Sequence, residues 1–187
     1  MKRFALSVVL TVAFVAAQAD ASSLPVAQEA QALIGIEFTA KAMGNPIDPG
    51  LSCTSKGGST IEINGVTVEG WGYGRAVCQG RTVAMLKRIV GQEGADIRWR
   101  VVDAVLLPRF AWGFDPKRPH APRLFKVGDC ELDGRTDIFF IALVRWDKRD
   151  RIDWRTGVEK AWGFDPQKER IISLSPKRIV CHRPEPA

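Results

Sequence analysis

Histidine is nearly missing from this chain of 187 residues, which holds only His120 and His182. No Cys-x-x-Cys pair occurs among the four cysteines either, so the ligand supply for a zinc site is poor. There is no Gly-x-Ser-x-Gly segment, and with it goes the strained turn that presents a hydrolase serine. After Ala17 no second long apolar run appears, which argues against a membrane anchor. No cysteine follows Ala21 in the positions a lipid anchor would use.

The first residues have the pattern of an export signal. Lys2-Arg3 is followed by an apolar run from Phe4 to Ala17 and by the small-residue stretch Ala19-Asp20-Ala21. That is the layout of a secretory signal peptide spanning 1–21, cleaved near Ala21 to give a periplasmic or secreted chain. Export decides how Cys53, Cys78, Cys130 and Cys181 are read. In an oxidising compartment they predict two disulfides, and closing them in sequence order pairs Cys53 with Cys78 and Cys130 with Cys181.

Ala-Trp-Gly-Phe-Asp-Pro occurs twice, at Ala111–Pro116 and Ala161–Pro166. Gly80-Arg81-Thr82 recurs as Gly134-Arg135-Thr136, and Trp99-Arg100 as Trp154-Arg155, in the same order. The cysteines punctuate this duplication into units of about 53–78, 78–130 and 130–181, the first a shortened copy. Trp71, Trp112 and Trp162 with Tyr73, Phe114 and Phe164 then read as a packed seam between units, because large aromatics repeated at equivalent positions dominate core energetics.

Residues 22–50 predict a helix with Ser22-Ser23 at its cap and Gly44 as its stop, followed by a turn-rich linker from Asn45 to Gly50. Gly35 and the alternation from Ile36 to Thr39 favour an extended second half instead. From residue 51 to 187 the chain reads as one β-rich repeat domain. Asn64-Gly65 between Ile-Glu-Ile and Val-Thr-Val is a hairpin signal, since both residues tolerate positive φ. Strands are predicted at 83–90, 97–107, 124–127, 138–144, 158–164 and 171–174. The expected fold is mainly β, antiparallel meanders packed as a sandwich or partial propeller, with one N-terminal helix.

Two constellations could carry function. Asp129, Glu131, Asp133 and Asp137 around Gly134 resemble the opening of the calcium loops of EF-hands and calcium-binding propeller blades. Phe140 stands where the closing Glu belongs, so an ordinary turn is the better reading and no cofactor is expected. The second is a set of basic residues after the hexapeptides and near the end: Lys117, Arg118, Arg123, Lys126, Lys168, Arg170, Lys177 and Arg178. Losing Lys2, Arg3 and Asp20 with the leader takes the net charge from +6 to +5. A basic exported chain steers toward anionic partners. The expectation is a non-enzymatic protein that binds an anionic envelope polymer or a protein partner, with nucleic acid left open. A small envelope hydrolase and a lysozyme-type inhibitor are the alternatives.

Overall fold

The Phe139-Phe140-Ile141-Ala142-Leu143-Val144 run is apolar at every position, so a strand there needs cover on both faces. The computed structural model, which describes residues 26–39, 45–48, 50–94, 96–111, 122–125, 130–145 and 149–182, shows what that cover is. In chain order the elements are α1 (Val26–Ala32), β1 (Glu37–Thr39), β2 (Cys53–Ile63), β3 (Val66–Cys78), β4 (Arg81–Glu93) and β5 (Asp96–Leu106). Then follow β6 (Arg123–Phe125), β7 (Cys130–Leu132), β8 (Phe140–Val144), β9 (Arg151–Ile152), β10 (Val158–Asp165), β11 (Arg170–Leu174), a 3-10 turn (Pro176–Arg178) and β12 (Ile179–His182).

Three antiparallel sheets result. The first has strand order β1-β5-β4-β3-β2, the second β11-β10-β8-β6 and the third β7-β12-β9. The chain is therefore mainly β with one short helix, as expected. Alternation along two central strands shows the layering. In β4, Val83 and Met85 pack with Ala30 and Leu33 of the α1 region, whereas Ala84 and Leu86 join Ile141, Leu143, Trp162 and Phe164 of the second sheet. In β8, Ile141 and Leu143 face the first sheet, while Phe140, Ala142 and Val144 face Leu132, Ile152 and Ile179 of the third. The order of layers is helix, first sheet, second sheet, third sheet. All five β8 side chains are buried. Burying large apolar side chains of this kind is worth about 1.5–3 kcal/mol each.

Both disulfides join directly opposed residues of paired strands, Cys53 to Cys78 across β2–β3 and Cys130 to Cys181 across β7–β12. The sequence-order pairing is the one observed, and the bridges place the chain in an oxidising setting, extracellular or periplasmic. Among the described residues no helix is long and apolar enough to cross a membrane. Residues 1–25, the signal peptide reading included, lie outside the described residues.

The helix ends at Ala32, and Glu37–Thr39 pairs as β1 with β5, so the alternating pattern there outweighed the helical one. Asn64 and Gly65 carry φ of 56° and 71° at the β2–β3 tip, as the hairpin reading requires. One part of the repeat alignment does not superpose as structure. Trp99 is a buried residue in the middle of β5, whereas Trp154 is 41% exposed on the turn before β10. A strand in one place and a turn in the other follow from neighbours: Arg98 to Val102 has the strand alternation, while Asp153 caps the 154–157 turn through its own carboxylate and Thr156.

Candidate functional site

On the first sheet, the face turned toward the second sheet is not wholly covered by it. Register lines up one rung across four strands there. Glu37 of β1 pairs with Arg100 of β5, Arg100 with Arg88 of β4, and Arg88 with Trp71 of β3. Because side chains alternate with period two, all four project from one face. Gly70 has φ of 76° and lies at the irregular stretch of the β2–β3 pairing, between Val68 and Trp71. Both of those side chains accordingly pack on the same cluster although they are three residues apart. Arg98, two residues before Arg100 on β5, adds a third guanidinium to the same face, and the irregularity between Ile89 and Gly91 sets it opposite Gly91.

Glu37 accepts hydrogen bonds from Arg100, whose Nε stands 3.0 Å from Oε1, and it lies 3.5 Å from Arg98 Nε. The Arg100 hydrogen bonds hold its carboxyl below the usual range. Arg88 donates from Nη1 to Glu169 at 2.7 Å and its guanidinium stands 5.9 Å from the Trp71 ring centre. The three arginine side chains keep 40%, 50% and 43% of their surface in water for Arg88, Arg98 and Arg100. Three guanidinium groups thus share two carboxylates, beside an aromatic ring.

The opposite face of the same strands is different. Lys87 is almost wholly buried, its Nζ 4.1 Å from the Trp99 ring centre and 6.0 Å from that of Phe38. Its stem crosses Gly72 and Gly74, where a Cβ at Gly72 would stand 3.0 Å from Lys87 Cε and 3.1 Å from the Trp99 ring. Burial pushes its amine down to about 8.

Among the described residues the sequence-predicted cations are dispersed. Lys117, Arg118 and Lys126 lie outside the described residues. Arg123 begins β6 at one edge of the second sheet and Arg170 begins β11 at the other, three strand spacings or roughly 14 Å sideways, and they stand at opposite ends of β10, level with Val158 and Asp165. Lys168 closes back on Asp165 at 3.3 Å. Lys177 stands 5.4 Å from the Trp154 ring centre, and Arg178 makes a forked contact with Asp133. Of the acidic turn, Asp129 lies outside the described residues. Each of the other three carboxylates has its own cationic or imidazole partner: Asp133 with Arg178, Asp137 with Arg135, and Glu131 with His182 at 2.8 Å. Hydrogen bonds from Arg178 and Arg135 hold Asp133 and Asp137 below the usual carboxylate range. Among the described residues the one group of metal-ligating type is Glu29 with Cys53 and Cys78, whose sulfurs are spent on each other.

Trp162, Phe164 and Tyr73 of the expected seam are buried, and Tyr73, Phe139 and Phe164 form a trio with ring centres 5.1–5.6 Å apart. Trp112 and Phe114 lie outside the described residues. Beside this trio an apolar groove of about 550 Å³ opens between the β2–β3 tip and the β10–β11 turn, lined by Ile63, Val66, Val68, Ile138, Phe164 and Ile172 among others. A second cavity of about 430 Å³ holds Glu159 and Lys160 beside Trp162. Neither places two carboxylates opposite each other, the arrangement a glycosidase needs.

The arginine rung was not singled out from the sequence. Arg98-Trp99-Arg100 does show an exposed–buried–exposed alternation, but its meeting with Arg88 and Trp71 depends on register. The chain matches no protein-family model, no curated protein and no solved structure.

Proposed function

We propose that this chain is an exported, non-enzymatic β-protein that binds an anionic polymer of the cell envelope, and that Arg88, Arg98 and Arg100 with Trp71 are its contact surface. The observation that carries this reading is the rung with its neighbour Arg98: three exposed guanidinium groups on one sheet face, two carboxylates to balance them, and an indole beside them. Guanidinium forks match phosphate, sulfate and carboxylate groups in a bidentate way. A sheet face with cations on neighbouring strands suits a repeating polyanion better than a single small ion. The basic surplus of the whole chain supplies attraction at longer range. Export is supported by the leader-like first 21 residues together with the two disulfides. In this reading the first and second sheets are the two layers of a sandwich, and the duplicated hexapeptide contributes Trp162 and Phe164 to the seam between them.

The test is retention on immobilised heparin and on lipopolysaccharide across a salt series. Replacing Arg88, Arg98 and Arg100 together by Gln removes up to three ionic contacts. It should lower the slope of log affinity against log salt by about 2, at roughly 0.7–0.9 per contact. A triple variant that elutes with the wild type at every salt concentration sinks the proposal.

A further inference from the structure

The apolar groove and the arginine rung are not separate features. The β10–β11 turn joins them: Gln167 lines the groove, and Glu169, two residues on, holds Arg88 at 2.7 Å. On the first sheet the same step is made along β3, where Val68 lines the groove and Trp71, packed on the same cluster, meets Arg88. A path therefore runs from a ligand-sized apolar cleft to exposed guanidinium groups. At the groove itself the charges are matched in pairs. Asp165 is held by Lys168, and Arg135, which also donates to Asn64 beside Ile63, is matched by Asp137. An occupant of the groove gains by being apolar, and its charge, if it has one, is best placed at the arginine end.

The geometry points to an anionic amphiphile as the unit this surface recognises, with an alkyl or acyl tail in the groove and a phosphate-type head on Arg88 and Arg100. This deepens the proposed function and rests on it: the polymer bound would be an acylated one, or its lipid-bearing end. Val66 supports the assignment from the other side. It lines the groove at the hairpin tip and is 67% exposed, an apolar surface open to an occupant of the groove. Transfer of an alkyl chain onto such a surface is favourable in proportion to the methylenes it buries.

Titration calorimetry of the mature chain with dodecyl phosphate, dodecyl maltoside and inorganic phosphate, with both detergents kept below micelle formation, tests this. Dodecyl phosphate is expected to bind at least tenfold more tightly than either of the others. Val66→Gln, at a position too exposed to endanger the fold, should weaken dodecyl phosphate several-fold and leave heparin retention unchanged. Arg88→Gln should weaken both. Dodecyl phosphate binding no better than inorganic phosphate, with heparin retention intact, overturns the amphiphile and leaves the polyanion surface standing. Equal binding of dodecyl maltoside and dodecyl phosphate overturns the placement of the head on the arginines. Heparin retention indifferent to the arginine variants overturns the reading beneath it.

Discussion

Lys87 sits under two aromatic rings with no acidic partner among the described residues, and replacing it by methionine should make the protein more stable. Burial lowers its pKa from 10.5 to about 8. At pH 7 the folded protein must still carry the proton, and holding a charge in that site costs about 3 kcal/mol relative to the unfolded chain. The Trp99 and Phe38 faces return about 1 kcal/mol of this as cation–π attraction. Methionine follows the same unbranched path over Gly72 and Gly74 and carries no charge. The expected gain for Lys87→Met at pH 7 is therefore about 1–2 kcal/mol. The pH dependence is more diagnostic than the gain. Between pH 8 and 10.5 the unfolded chain binds more protons than the folded one, so wild-type stability should rise with pH there. The rise is about 2 kcal/mol from pH 7 to 9.5. Tyr73, whose phenol burial pushes above its usual value of 10, acts in the opposite sense, but only once unfolded tyrosine begins to ionise. Urea midpoints for both proteins at pH 7 and 9.5 decide the matter. A wild type with a flat profile, or a methionine variant that shows the same rise, would refute the reasoning.

Other outcomes follow from the same geometry. The bridges close 25 and 51 residues, so removing Cys53–Cys78 by paired alanines should cost about 3.5 kcal/mol and removing Cys130–Cys181 about 4 kcal/mol, read from urea unfolding. Gly58→Ala should destabilise by about 2 kcal/mol or more, because the new Cβ would stand 2.0 Å from the Tyr73 carbonyl oxygen in the paired strand; a melting temperature equal to wild type would contradict the strand pairing. Calcium should leave the melting temperature unmoved, since Asp133 and Asp137 are already engaged by Arg178 and Arg135; a true site at a hundredfold excess over its dissociation constant would add about 2.7 kcal/mol and be plain in the same scan.

Local signals in the sequence were legible where one stretch of chain determines the outcome. Asn64-Gly65 gave its hairpin because positive φ at both residues is a local demand, and the Ile36–Thr39 alternation marked a strand within a segment otherwise read as helix. Cysteine order was sufficient for the disulfides because the bridged residues face each other across paired strands. What the sequence did not disclose depends on register. Arg88 and Arg100 are neighbours only because the pairing of β4 with β5 shifts between Leu86 and Lys87, and such a shift has no signature in composition. The described members of the expected basic set stand apart for a related reason. Proximity in sequence to a repeated turn does not fix which sheet edge the following residues join, and Arg123 and Arg170 join opposite ones. The Trp154 assignment shows the limit of reading repeats: a Trp-Arg pair conserves two side chains, whereas the Asp153 and Thr156 bonds around it decide between strand and turn.

β2 is the outermost strand of the first sheet, and eleven residues of edge strand would ordinarily offer a template for another chain. Here the free side is closed off at both ends. Asn45 and Ile47 bond to Ser55 and Cys53 at the start, and Asp137 and Phe139 bond to Asn64 and Glu62 at the finish. The stretch left between them, Lys56 to Ile61, contains a positive φ at Gly57 and the register shift at Ser55–Gly58, so it is kinked and carries a lysine. A long β-strand is thereby kept from recruiting copies of itself, and a concentrated sample should remain free of fibrillar assembly through this edge.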